Sequence, residues 1–316
     1  MCVGIRFNAA DGSMYFGRNY DWNTSYGEQP WATPAGFPIA WRHMEPSTSR
    51  HDIIGMAIAV GGFPMYFEAA SDAGLAVAGL SFPKLSCYAD EPLPGRHNVT
   101  TFEFPLWITS QFDTLAEVRE ALENTAITST PFSDQLPISP VHWLIGDATG
   151  SLVAEYTERG MEIFEDEFDV VTNNPGFSWH RDNMANYALA TATRSEDVVW
   201  GAADEQRFLY GLGLRGFPGD YSSASRFAKA AYLNTHYPAQ ESELDNVARM
   251  FHTLDAVAVP LGASERLGGD WTQTLYQGLY SQKTNTYYYR RYTDLAVTSV
   301  CLSDVDFGGA LAAVPL

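Results

Sequence analysis

The chain of 316 residues has only three cysteines, Cys2, Cys87 and Cys301. Three are too few for a disulfide framework, and their separation gives no metal-ligand spacing. Cations are scarce too: 19 Lys and Arg stand against 38 Asp and Glu, a formal net charge of −19. Without a cluster of Lys and Arg, neither a nucleic-acid face nor attraction to an anionic membrane is expected. No apolar run reaches about 18 residues, which excludes a transmembrane helix. The N-terminus lacks a basic stretch followed by an apolar one, so no secretory leader is read, and a reduced, cytoplasmic protein is expected. No Gly/Ser/Pro linker, repeat or low-complexity tract divides the sequence, and residues 1–316 are read as one domain.

Several familiar catalytic devices are also missing. There is no GxSxG elbow, Walker loop, GxGxxG after a strand, or HExxH helix. The histidines (His43, His51, His97, His142, His180, His236 and His252) show no ligand spacing, so no metal and no organic cofactor are expected.

What the chain does hold is apolar and aromatic: 46% hydrophobic and 14% aromatic residues, a globular composition. Val3, Ile5 and Phe7 alternate, Asp11-Gly12 supplies a turn, and "MYF" at 14–16 begins a return strand. Further strand pairs are read at "IIGMAIAVGG" with "MYFEAASDAGLAVAGLSF", at "HWLIGDATGSLVAEYT" with "MEIFEDEFDVVTNN", and at "TLYQGLYSQKTNTYYYRRYT" with "LAVTSVCL". Helical spacing appears in "TLAEVREALENT" and "SSASRFAKAAYLNTHY", and in "ELDNVARMFHTLDAV", where Leu244, Val247, Phe251 and Leu254 form a stripe. Strand pairs joined by tight turns, with helices between them, predict an α+β fold with antiparallel sheets.

One feature of the terminus carries chemistry. Removal of Met1 before a small residue would leave Cys2 with a thiol and a free α-amine. That amine, with a pKa of about 7.7–8.0, is a usable base near neutrality, whereas a thiol at about 8.5 needs a nearby cation to ionise. The hairpin brings Arg18 and Asp21 close to Cys2, which would make a compact nucleophile–base pair. On spacing alone, a buried cysteine and a surface Arg/Asp pair account for the same residues.

The stretches "MCVGIRF…DGSMYFGRNYDW", "GLAVAGLSFP", "HWLIGD", "VVTNNPGFSWH", "RGFPGDYSSASRF" and "SQKTNTYYY" resemble the ordered blocks of the choloylglycine hydrolase family, over essentially the whole chain. That family contains bile salt hydrolases and penicillin V acylases and belongs to the N-terminal nucleophile hydrolases. The resemblance implies a four-layer αββα sandwich with Cys2 as nucleophile after loss of Met1. It matches Arg18 and Asp21 to the "GRNxD" pair, Asn173 to an oxyanion-binding Asn, and Arg226 to an Arg supporting the thiol. Ser81, in "GLSFP", stands where bile salt hydrolases usually carry Asn; its backbone N–H would still serve the oxyanion hole. By family position Tyr20, Phe63, Met65 and Leu136 would line an apolar substrate pocket. Gly211-Leu212-Gly213 resembles a loop form that favours glycine conjugates. The implied reaction is hydrolysis of conjugated bile salts to bile acid plus glycine or taurine. Penicillin V and other N-acyl amides, such as an N-acyl homoserine lactone, are the alternatives. A homotetramer is implied too, since "NTHYPAQESELDNVARMFHTL" resembles the family's assembly segment.

Overall fold

In the computed structural model, residues 1–193, 213–266, 268–308 and 310–314 are described, with the backbone of 199–200, 203–204 and 212. The Gly211-Leu212-Gly213 loop therefore lies partly outside the described residues.

The opening hairpin forms as its pattern dictates. Strands β1 (Cys2–Asn8) and β2 (Met14–Trp22) pair antiparallel, with Cys2 opposite Tyr20 and Gly4 opposite Arg18. Gly12 in the turn has φ 87°, a conformation that costs glycine nothing.

The second antiparallel sheet begins with β3 (Gln29–Thr33), β4 (Ile53–Val60), β5 (Phe63–Ser71) and β6 (Ala76–Ser81). It continues through β7 (Val141–Asp147), β8 (Gly150–Thr157) and β9 (Gly160–Glu165). The chain then returns to the first sheet with β10 (Val170–Val171), β11 (Trp271–Ser281), β12 (Thr286–Arg291) and β13 (Asp294–Cys301). The seven-stranded first sheet runs β10–β1–β2–β11–β12–β13, with a short strand at Ser264–Glu265 on β11. The eight-stranded second sheet runs β9–β8–β7–β6–β5–β4–β3, closed by β14 (Ala312–Ala313).

The two sheets stack face to face. A Cβ on Gly4 would meet Leu144 Cδ2 of the second sheet at 3.1 Å, so glycine permits the close approach. Helices α1 (Phe104–Gln111) and α2 (Leu115–Glu123) cover the outer face of the second sheet, sharing a core with Val77, Trp143 and Ile145. Helix α3 (Phe177–Asn183) precedes α4 (Ser223–His236) and α5 (Glu243–Asp255), which cover the first sheet and share a core with Val3, Ile5 and Phe7. The architecture is an αββα sandwich of antiparallel sheets.

Two local features depart from the sequence pattern. Helix α1 has no apolar stripe because it is buried on nearly every side, so helical periodicity gives no sign of it. On α5, Val247, Phe251 and Leu254 are buried as a stripe should be, but Leu244 is 73% exposed. It sits in the first helical turn, outside the core that Val247, Met250, Phe251 and Leu254 share further along the helix.

Candidate active site

The site begins with Cys2, the first residue of β1, which is 3% exposed. Its nitrogen donates to Asn173 Oδ1 (2.8 Å), and its carbonyl accepts from Arg226 Nη1 (2.9 Å). The Met1 terminal amine donates to the Asp21 carbonyl (3.0 Å).

Alternation along β2 sends the neighbouring polar residues in opposite directions. Gly17 faces Met250 of α5 and Asn19 donates to the Leu254 carbonyl, so odd positions face the helices. Arg18 and Tyr20 face the gap between the sheets instead. Arg18 Nη1 donates to the Phe67 carbonyl (3.2 Å) and to Glu68 Oε2 (3.4 Å), and its Cζ lies 4.9 Å from the Tyr20 ring centre. Its Nη2 is buried and has no protein partner among the described residues. Burial alone would lower the Arg18 pKa, yet Cys2, Tyr276 and Glu68 together hold it above that of an ordinary arginine.

Glu68 reaches Arg18 through a β-bulge. Met56 pairs with Glu68 while the next residue, Ala57, pairs with Tyr66, so Phe67 is the extra residue. Phe67 and Glu68 consequently share one face: the Phe67 ring stacks on Tyr20 while the carboxylate meets the guanidinium. Tyr276 Oη donates to Glu68 Oε2 (2.7 Å) and Tyr287 Oη to Oε1 (2.5 Å). Burial raises the Glu68 pKa, partly offset by Arg18 and the two phenols.

Gly278, paired with Arg18 across β2 and β11, leaves the space for this carboxylate. A Cβ there would fall on the Tyr287 hydroxyl and 2.8 Å from Glu68 Oε1. Gly278→Ala is therefore expected to destabilise the fold by about 1–3 kcal/mol. Chemical denaturation checks this; an unchanged midpoint would show that the pocket yields freely.

Asp21 points the other way, towards α4. Its Oδ1 accepts from Thr274 Oγ1 (2.6 Å) and its Oδ2 from Arg226 Nη1 (3.3 Å). A second bulge makes this possible: Thr274 pairs with Asp21 but Tyr276 with Tyr20, so Leu275 is the extra residue. Thr274 and Tyr276 thus serve opposite faces of one strand. Arg226 is carried on the first turns of α4, capped by Ser222, whose Oγ accepts from the Ser225 N–H (3.2 Å). Its Nη2 donates to Asn173 Oδ1 (2.8 Å), so its contacts at Cys2 run through the carbonyl and through Asn173. Burial lowers the Arg226 pKa, against the pull of Asp21 and Cys2.

Asn173 closes the ring. Its Oδ1 accepts from both Cys2 and Arg226, and its Nδ2 donates to the Ser81 carbonyl (2.7 Å). An amide nitrogen carries two hydrogens, so one remains for a ligand. Across the β6–β7 ladder Phe82 N–H donates to the Pro140 carbonyl, so the alternate residue, Ser81, turns its own N–H and C=O away from β7. All six polar residues singled out in the sequence, Cys2, Arg18, Asp21, Ser81, Asn173 and Arg226, thus meet around one point. Glu68, Thr274, Tyr276 and Tyr287 were not among them. The one available signal was a lone carboxylate in the apolar strand "MYFEAAS", which must be paired if buried.

A cavity of about 340 Å³ opens from Cys2. Tyr20, Met65, Ser81 and Leu136 line it, with Phe67, Phe102, Phe132 and Trp143 supplying further aromatic surface. Phe63 stands one ring behind the wall, packing edge-on to Phe102 (5.9 Å between ring centres) and tilted against Phe132 (6.2 Å). The arrangement offers a buried thiol, an adjacent cation, amide and backbone donors, and an apolar chamber. Among the described residues no cluster of His, Cys, Asp and Glu could hold a metal ion.

The sequence profile of the linear amide C–N hydrolases, choloylglycine hydrolase family, matches residues 2–310. The chain belongs to the choloylglycine hydrolase family. To this member the bile salt hydrolase/transferase of Bifidobacterium longum subsp. longum is 42% identical over 311 residues, covering 97% of this chain and 96% of that protein. The crystal structure of the C2A variant of conjugated bile acid hydrolase from Clostridium perfringens superimposes with TM-score 0.92 at 27% identity, covering 100% of this chain and 97% of that one. Penicillin V acylase from Agrobacterium tumefaciens shares the fold, with TM-score 0.77 at 18% identity, covering 96% of this chain and 87% of that one. The sandwich is that of the N-terminal nucleophile hydrolases, and the activity class is hydrolysis of a linear amide.

Proposed function

We propose that this enzyme cleaves conjugated bile salts to a free bile acid and glycine or taurine, with Cys2 as the nucleophile. The observation that carries the reading is Cys2 itself, held by Asn173 and Arg226 at the end of an apolar cavity. The named activities of the relatives supply the substrate class.

Loss of Met1 turns the Cys2 nitrogen, already within 2.8 Å of Asn173 Oδ1, into an α-amine. That amine takes the thiol proton, and the Arg18 charge favours the thiolate. The thiolate attacks the amide carbonyl, and the free Nδ2 hydrogen of Asn173 with the Ser81 N–H stabilises the oxyanion. The protonated amine then protonates the leaving amine, and water releases the acyl group from its thioester. Asp21 and Arg226 hold the geometry. A steroid's apolar rings suit Met65, Leu136 and the aromatic wall, and no cofactor is needed. We read residues 1–316 as one catalytic domain, a reading supported by the Cys2, Asn173 and Arg226 contacts between distant parts of the chain. Three free cysteines suit a reducing cytoplasm, and the family resemblance implies four copies per assembly.

Parallel hydrolysis of glycocholate, taurocholate and penicillin V by the full chain tests the reading. Release of glycine or taurine is expected; turnover of penicillin V without any bile-salt cleavage would replace it with the acylase alternative.

A further inference from the structure

Behind Asn173 lies a second polar layer that the reaction above does not use. β10 ends at Val171, and from there the main chain is held by side chains instead of a ladder. The Thr172 carbonyl accepts from His142 Nε2 (3.0 Å), and Thr172 Oγ1 lies 2.9 Å from Ser223 Oγ. Asn173 N–H donates to Ser223 Oγ (2.9 Å), and its carbonyl accepts from His180 Nε2 (2.9 Å). Further on, Phe177 N–H donates to Glu155 Oε1 (2.9 Å), the oxygen that also meets His142 Nδ1 (3.0 Å).

Each imidazole is also fixed by an aromatic neighbour. His142 stacks on Phe82 with ring centres 4.3 Å apart, and His180 stacks on Phe227 at 4.8 Å. Burial lowers the His180 pKa to about 4, so near neutrality the ring is uncharged and its single hydrogen lies on Nε2, facing the Asn173 carbonyl. None of His142, Glu155, Thr172, His180 and Ser223 lines the cavity.

We infer that His180 and Ser223, backed by the His142–Glu155 pair, are positioning residues that aim the Asn173 amide at the reacting carbonyl. The inference rests on the reading of Asn173 as an oxyanion donor. The side chain of Asn173 has one hydrogen left for a ligand; Cys2, Arg226 and Ser81 fix its amide, and the main chain fixes the point from which that amide reaches out. His180 holds the carbonyl of that residue and Ser223 its N–H, so the amide has little freedom to swing. A displacement of about 1 Å in a positioned group can cost about 10²-fold in rate. The effect falls on the transition state, because the carbonyl of bound substrate bears less charge than the oxyanion it becomes.

His180→Phe keeps a ring against Phe227 and deletes the donor; His180→Gln restores an N–H within reach of the carbonyl. For glycocholate hydrolysis, H180F is expected to lose between about 10- and 100-fold in kcat, with KM within about twofold. Alkylation of Cys2 by iodoacetamide needs no oxyanion donor and should stay within about twofold of the parent rate. H180Q should recover most of the lost kcat. Ser223→Ala should lower kcat with the same selectivity, and decides the matter if H180F does not fold. Unchanged kcat in the folded variants would overturn the inference, as would alkylation falling in parallel with kcat or H180Q no better than H180F. An Asn173→Ala control separates the two levels: if N173A keeps full kcat, the oxyanion reading itself fails. If N173A collapses while H180F and S223A do not, only the positioning role is lost.

Discussion

Cys2→Ala is expected to lower bile-salt hydrolysis by at least about 10³-fold, since removing a nucleophile leaves only what binding and oxyanion donors supply. No other thiol can substitute: Cys87 is exposed and Cys301 half-buried, and neither lines the cavity that opens from Cys2. The substitution removes one small buried group, so folding should survive, and near-ultraviolet dichroism should match the parent. Release of glycine or taurine measures the loss. The same preparations carry a second readout, because a free α-amine on Cys2 requires that Met1 be gone. Intact mass should show an active parent beginning at Cys2. A parent that retains Met1 and still turns over, or a C2A variant with undiminished activity, would refute the mechanism.

Glu68→Ala should cost stability heavily. Arg18 is 0% exposed, and Glu68 is the carboxylate paired with it. Deleting one partner leaves a buried charge uncompensated, with a typical penalty of about 3–5 kcal/mol. Urea unfolding should report a clear drop in midpoint, and a loss under about 1 kcal/mol would show that water or another group takes over the pairing. Glu68→Gln is a gentler probe, since its oxygen can still accept from Tyr276 or Tyr287. Its effect depends on pH in a defined direction. Burial raises the folded-state pKa of Glu68 above its ordinary 4.5. The stabilising contribution of the protonated group is therefore complete below about pH 4.5 and is lost as pH rises through the folded value. The stability of E68Q relative to the parent should accordingly grow as pH rises above 4.5; a flat or falling difference would contradict the raised pKa.

Much of the frame is legible in the residues because its hairpins carry period-two alternation and glycine turns. The pairing of Cys2 with Tyr20 follows from counting back from Asp11-Gly12. Helix α1 escapes the same reading because a helix buried all round has no polar face. Glu68, Thr274 and Tyr276 escape it for a sharper reason. Each lies beside an extra residue, Phe67 or Leu275, that shifts the strand's alternation by one. Counting by twos then assigns the wrong face at the positions that matter most. Asn173 and Arg226 belong to a third case. No local pattern links them to Cys2, 171 and 224 positions away, and only their resemblance to family blocks marked them.

The three-residue step from Arg18 to Asp21 has a last consequence. It places the thiol's cation and the carboxylate tied to Arg226 in separate layers, one between the sheets and one under α4. Cys2 thus presents its two groups to two layers, and Arg226, which holds the Cys2 carbonyl and feels its charge, joins them. Glu68 and its phenols reach Cys2 through Arg18 from one side, and Asn173, Arg226 and Thr274 reach its main chain from the other. A lineage, or an engineer, thus has two separate sets of side chains through which to alter the surroundings of one residue.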